Sequence, residues 1–158
     1  MEKIFNGVKY MFFLNGIFSN WYESHFEIDG VEYSCGEQYI MYQKAMMFND
    51  KEAANKILNA YLPRKQKQLG REVRNFNPER WDLVKYELVK KGLREKFNQN
   101  PKLKRYLLDY KGFIIAESSP DDRIWGIGYY DDDAIHNIEN WGENLLGKIL
   151  TELAAELS

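Results

Sequence analysis

Asn77-Pro78 constrains this chain most, because a capping side chain followed by proline at the first helical position is a strong start signal. Trp81, Val84, Leu88 and Leu93 follow at helical spacing, which predicts a long helix to Phe97 with those residues on its buried side. A helix of that length needs other elements to cover it, and the flanking sequence offers several. Ser34 with Glu37 three residues later reads as a capping box that opens a helix to about Phe48. Asn49 or Asp50 starts a second helix, with Ala53, Ala54, Ile57 and Leu58 on one face, and Pro63 ends or redirects it. Pro101 begins a shorter helix through Leu108, and Asn144 to Leu157 closes the chain with Leu146, Ile149, Leu150 and Leu153 at helical spacing.

Extended structure is sparse. Lys9 to Leu14 is an aromatic, β-prone run, Asp29-Gly30 between Phe26, Ile28, Val31 and Tyr33 is a hairpin signal, and Gly112 to Glu117 is a strand. Phe18-Ser19-Asn20-Trp21 falls in a loop, as does the long segment from Ser118 to about Asn140, whose Trp125, Tyr129 and Tyr130 argue for an ordered loop. The expectation is a mostly helical α+β fold in which a small sheet or hairpin packs on helices. At 158 residues, one domain over 1–158 is expected.

Composition narrows the function. Four Trp, eleven Tyr and nine Phe in a small domain either fill its core or in part form the wall of a site that takes a flat ligand such as a base. A formal net charge of −2 gives no global field to hold nucleic acid or an anionic membrane, so any phosphate contact must be local. The single cysteine, Cys35, forms no internal disulfide, and neither a membrane-spanning run nor a signal-peptide pattern is present, so a cytoplasmic protein is expected.

Most familiar chemistries lack support. His25 and His136 are isolated, and with one cysteine they form no metal-ligand motif, so no metal and no cofactor is expected. Gly126-Ile127-Gly128 lacks the third glycine of a dinucleotide fingerprint, Asp131-Asp132-Asp133 reads as a solvated acidic turn, and no serine-nucleophile elbow occurs. What remains is polar residues set among aromatics. Glu37 and Lys44, seven residues apart, lie on one helix face about 10 Å apart along the axis. They are either a surface stripe, with Glu37 serving its cap, or a carboxylate and amine facing one ligand. Trp125 with Asp122 is either an aromatic plug with a turn-forming Asp or part of a site.

Taken in order, Phe18-Ser19-Asn20-Trp21, Glu37-Gln38-Tyr39 with Gln43-Lys44-Ala45, Leu69-Gly70-Arg71, Trp81-Asp82 with Val84-Lys85, Leu93-Arg94-Glu95-Lys96-Phe97, Glu117 with Asp122-Arg123-Ile124-Trp125-Gly126-Ile127-Gly128, and Asn144-Leu145-Leu146-Gly147 resemble the NADAR (YbiA-like) family over roughly residues 12 to 155. Trp21 stands where the family usually has Phe, and the stretch after Gly128 departs from relatives rich in Gly and Lys there.

The resemblance implies a small, mainly helical domain that acts on N-glycosidic bonds of ribosylated compounds. Two substrate groups are implied: riboflavin-pathway intermediates carrying phosphoribose on an aminopyrimidine, and ADP-ribose on guanine, either in nucleotides or in single-stranded DNA. Glu37, Lys44 and Asp122 are then the candidate catalytic residues. Lys44 is either an amine that exchanges into a ribose imine or a phosphate ligand during direct hydrolysis by Glu37 or Asp122. Asn20, Trp21, Arg71, Trp125, Gly126, Gly128 and Asn144 are the candidate substrate-binding residues, with Trp125 stacking on a base, the two glycines bringing amides to phosphate, and Arg71 the favoured member of a basic segment with Arg64, Lys65, Lys67 and Arg74. The competing class is a module that binds ADP-ribose or a nucleotide without cleaving it.

Overall fold

The computed structural model describes all of residues 1–158. Five strands, β1 (Glu2–Phe5), β2 (Val8–Phe13), β3 (Phe26–Ile28), β4 (Val31–Tyr33) and β5 (Ile114–Glu117), accompany seven helices. These are α1 (Gly36–Met47), α2 (Lys51–Asn59), α3 (Pro63–Arg71), α4 (Pro78–Asn98), α5 (Pro101–Leu108), α6 (Asp131–Ala134) and α7 (Leu145–Glu156), with a 3-10 helix at Ile135–Asn140. The fold is α+β and mostly helical. The chain packs as two compact units, Met1–Ser19 with Lys102–Ser158, and Asn20–Pro101, so the Phe18-to-Trp21 motif is divided between them.

The first unit is built on a three-stranded sheet in the order β1-β2-β5. Asn6 and Gly7, both at positive φ, turn β1 back antiparallel onto β2, and β5 pairs parallel to β2 with Tyr10 opposite Ile114. The strand β1 was not expected from sequence, because only four residues form it and three of them are exposed, which leaves no alternation to read. Helix α7 lies on β5, its Thr151 hydroxyl accepting from the Ile115 N–H at 3.0 Å and donating to the Gly147 carbonyl at 2.8 Å. Tyr10, Phe12, Ala116, Ile127 and Ala134 form one buried cluster, with Trp141 edge-on to Tyr10 and Phe12. Phe18, 1% exposed, packs with Phe13, Tyr106 and Tyr110 as a second aromatic group.

The second unit begins with the β3-β4 hairpin, turned by Asp29 and Gly30 at positive φ as expected. Four helices follow. Asp50 caps α2 by accepting from the Ala53 N–H, and Asn77 caps α4 by accepting from the Arg80 N–H. Pro63 does not close a helix: α2 has already ended at Asn59, and Pro63 opens α3 at a position where a missing N–H costs nothing.

The buried face of α4 also differs from expectation. Trp81 and Leu93 are inside, but Val84 is 38% exposed, and Lys85, Val89, Gly92, Lys96 and Phe97 complete the inner stripe. Gly92 has no room for a Cβ because the Tyr39 ring of α1 lies against it, and the Tyr39 hydroxyl donates to the Leu88 carbonyl at 2.8 Å. Burial pushes the Lys96 amine down to about 7, with the Cys35 thiol acting in the opposite direction.

Candidate functional site

Five of the candidate residues belong to the second unit. Helix α1 starts at Cys35 in extended conformation without a side-chain cap, so the Ser34-Glu37 capping box does not form. Gln38 takes the place expected for Glu37: its Oε1 accepts from the Ser34 N–H at 2.8 Å and from the Ser34 hydroxyl at 3.1 Å, while its Nε2 donates to the Ile57 carbonyl at 3.1 Å. Gln38, not Glu37, thus makes the side-chain bonds to Ser34. The Glu37 backbone N–H donates to the Asn20 carbonyl at 2.8 Å, which seats Asn20 against Gly36, where a Cβ would stand 2.7 Å from Asn20 Oδ1. That Oδ1 is buried without a hydrogen-bond partner in the protein, an acceptor that a ligand donor would satisfy.

Lys44 is half-buried one face-repeat beyond Glu37, its Nζ 4.3 Å from the centroid of the Phe76 ring. Helix α3 approaches α1 closely because Gly70 offers no side chain where Met41 lies, and Arg71 follows directly. Three influences act on the Lys44 amine. Burial is the largest and lowers its pKa, the Glu37 carboxylate raises it, and the Arg71 guanidinium lowers it further. Glu37, Lys44 and Arg71 thus form one electrostatically coupled group.

Trp21, 43% exposed, lies under the Lys67 ammonium at 5.9 Å and borders a small pocket of about 90 Å³ with Glu23, Ser34, Cys35, Tyr61 and Pro63. The basic segment is not uniform. Arg64, Lys65, Lys67 and Arg71 are exposed on α3, whereas Arg74 is tied to Asp50 by a backbone bond of 2.9 Å and a guanidinium bond of 3.1 Å, which takes it out of the expected phosphate set.

The other five candidates belong to the first unit, in the loop between β5 and α7. Asp122 Oδ1 accepts from the N–H groups of Ile124 at 2.9 Å and Trp125 at 2.8 Å, an Asx turn that presents Trp125 half-buried. A Cβ at Gly126 would meet the Asp122 and Glu117 carbonyls, both at 2.9 Å. Gly128 has φ +79°, and its N–H donates to the Ser119 carbonyl at 3.0 Å, so that amide is engaged within the loop rather than held toward a phosphate. Asn144 is 5% exposed; its Oδ1 accepts from the Glu117 N–H at 3.1 Å and its Nδ2 donates to the Ile115 carbonyl at 3.1 Å. Its amide joins the start of α7 to β5, a structural task in place of the expected substrate contact. A cavity in this unit, about 300 Å³ and bordered by Met1, Phe13, Ser118 and Tyr130, contains none of the candidates.

Two residues escaped the sequence reading. Phe76 lies in the connection before α4, outside any periodic element, and Gln38 was passed over because the capping-box pattern pointed to its neighbour. No group of three or more His, Cys, Asp or Glu side chains is arranged to hold a metal ion, and no helix is long and apolar enough to cross a membrane.

Comparison with known proteins adds the following. The NADAR domain matches residues 11–158, through both units. N-glycosidase R617 of Acanthamoeba polyphaga mimivirus is 44% identical over 147 residues, covering 89% of this chain and 86% of that one. The riboflavin biosynthesis protein PYRR of Arabidopsis thaliana is 34% identical over 109 residues, 66% of this chain and 17% of that protein. The NMR structure of Escherichia coli YbiA superposes with a TM-score of 0.77 at 27% identity, covering 94% of this chain and 84% of that one. YbiA of Escherichia coli K12 is itself named an N-glycosidase.

Proposed function

The chain belongs to the NADAR family, and we propose that it cleaves the bond between the anomeric carbon of a ribose and an amine of a planar heterocycle, with Lys44 as the attacking amine. It is a hydrolase acting on N-glycosyl compounds. The observation that carries the proposal is the Lys44 environment: a half-buried amine on an aromatic face, lowered in pKa by burial, with a carboxylate seven residues before it. A lysine so placed holds a larger fraction of free amine than one in water, which nucleophilic attack requires.

The step balances as follows. The amine-linked riboside opens to its imine; the Lys44 nitrogen adds to C1′, and the C1′–N bond to the heterocycle breaks, the departing amine taking a proton. Ribose is left as an imine on Lys44. Water then adds to C1′ and the Lys44–C1′ bond breaks, returning free lysine and a ribose that recloses. Glu37 is the carboxylate that moves the protons, and Arg71 meets a phosphate of the substrate. Asn20 and Trp21 contact the ribosylated compound near the start of α1. Within the first unit, Trp125, presented by the Asp122 turn, is a stacking surface for a planar ring.

Both substrate groups contain this bond: a phosphoribosylaminopyrimidine, favoured by the relative named for riboflavin biosynthesis, and ADP-ribosylated guanine. A nucleotide-sized substrate suits a net charge of −2, since guanine within DNA would also have to leave its stack. The test is to incubate the protein and Lys44→Ala with each compound and follow released amine or base by mass spectrometry. Release by the wild type and none by the variant is expected; no release from either compound, with tight nucleotide binding, would favour a binding module instead.

A further inference from the structure

We propose that Phe76 is a positioning residue for Lys44: an anchored aromatic cover that shields the amine from water with its bulk and holds the ammonium with its ring face, so that it governs how much free amine is present. This rests on the reading of Lys44 as the nucleophile.

The geometry is specific. Lys44 Nζ stands 4.3 Å from the ring centroid, within cation–π range, while Phe76 is 38% exposed and meets solvent with its outer part. The inner side of the ring is held. Phe48, from the end of α1, packs edge-on to it at 5.3 Å, and the Arg80 guanidinium lies 5.5 Å over Phe48. Its backbone is held at both ends: Asp50 grips Arg74 through main chain and side chain, and Asn77 is the cap of α4. Between those anchors Asn75 takes φ 62°, a left-handed conformation that Asn tolerates better than most residues, and this reverses the chain so that Phe76 points at α1. A connection built only to join α3 to α4 has no need of a clamp, a reversal and a cap around one aromatic.

The ring exerts two opposed effects. Its hydrocarbon keeps water from the amine, which favours the neutral form, and its π face attracts the ammonium, which favours the charged form. The charges that act on Lys44 are Glu37 on its own helix and Arg71 on α3. Of the other charges on the elements packed against α1, Arg74 pairs with Asp50 and Glu52, Lys56 with Glu52 and Lys85 with Asp82, Lys67 lies over Trp21 and Arg80 over Phe48, and Arg64 and Lys65 are exposed on α3. Phe76 is a contact of Lys44 that can be altered without touching a charge.

The two effects separate by substitution. Phe76→Leu keeps bulk and loses the π face, so the Lys44 titration moves to lower pH. Phe76→Ala loses both, and because burial is the largest influence on the amine, the titration moves to higher pH.

The experiment measures the rate of Lys44 acetylation by acetic anhydride across pH, read on the Lys44 peptide by mass spectrometry, for the full-length wild type, Phe76→Leu and Phe76→Ala. Midpoints moving in opposite directions are expected; unmoved midpoints, or two shifts of one sign, overturn the proposal. If Phe76→Ala does not fold, Phe76→Leu decides alone, a downward shift supporting and any other result refuting it. The readout needs no substrate. Opposite shifts in a protein that cleaves neither compound would uphold the Phe76 assignment and defeat the proposed function, while Lys44-dependent cleavage with unmoved midpoints would do the reverse.

Discussion

Gly70 of α3 backs onto Met41 of α1 with no room for a Cβ between them, and this contact brings Arg71 to the face that carries Lys44. The electrostatics of the candidate nucleophile thus depend on a helix-helix contact as much as on any polar group.

Two neighbours of Lys44 act on it with opposite sign, and that predicts opposite shifts. Only neutral lysine attacks, so kcat/KM rises as pH rises through the Lys44 pKa. Glu37→Gln removes the influence that raises this pKa and moves the acid limb to lower pH; Arg71→Ala removes one that lowers it and moves the limb to higher pH. A pH profile that keeps its acid limb in both variants would show that Lys44 does not govern it.

Asp122 is assigned to building the turn under Trp125. Asp122→Asn keeps the Oδ1 acceptor, so activity stays within about tenfold, whereas Asp122→Ala frees the Trp125 N–H and costs about a hundredfold, the scale for misplaced groups. Loss of about a hundred- to ten-thousandfold in Asp122→Asn would return this carboxylate to proton transfer.

Gly92 gives a prediction about stability. Gly92→Ala gains about 1 kcal/mol of helix propensity but drives a methyl into the buried Tyr39 ring, and overpacking of this kind costs about 1–3 kcal/mol. Net destabilisation in urea unfolding is expected, with Tyr39→Leu in the same background recovering part of it.

Lys96 links stability to pH. Its folded pKa is about 7 against an ordinary 10.5, so between those values the unfolded chain binds the extra proton. Stability therefore rises with pH across that window, with a slope of at most about 1.4 kcal/mol per pH unit from this group. Below about pH 7 the lysine is charged in both states and the full penalty of burying it is present. Urea titrations of wild type and Lys96→Met should converge in that sense as pH rises; parallel curves would refute the assignment.

Much of the fold is readable where a local signal has no competitor. Asn77-Pro78, Asp29-Gly30 and Pro101 each mark an element boundary that the structure contains. Misreadings arise where tertiary contacts decide. Lys85 and Lys96 lie on the inner face of α4, a place hydrophobic periodicity gives to Val84 and Leu88, because long aliphatic stems fill a core as well as leucine and the Lys85 head reaches Asp82 at 2.8 Å. Ser34 turns to Gln38 because Gln38 can also reach the carbonyls that close α2, a contact between segments that no spacing rule contains.

The site divides similarly. Glu37 and Lys44 follow from helical geometry on one face, whereas Phe76 reaches Lys44 from an irregular connection whose course depends on Asp50, more than twenty residues earlier in the chain. Asn144 is a candidate ligand contact only through the family resemblance, and its two bonds to β5 give it a structural task that no local pattern contains.

The proposed reaction passes through a ribose imine on Lys44. Sodium borohydride added during turnover of ADP-ribosylated guanine or the phosphoribosylaminopyrimidine would reduce such an imine to a stable secondary amine, and peptide mass spectrometry would locate it. The corresponding ribosyl mass is expected on the Lys44 peptide, absent without borohydride and absent in Lys44→Ala. A Lys44→Ala variant with undiminished cleavage, or turnover that leaves the Lys44 peptide unmodified under borohydride, would contradict it.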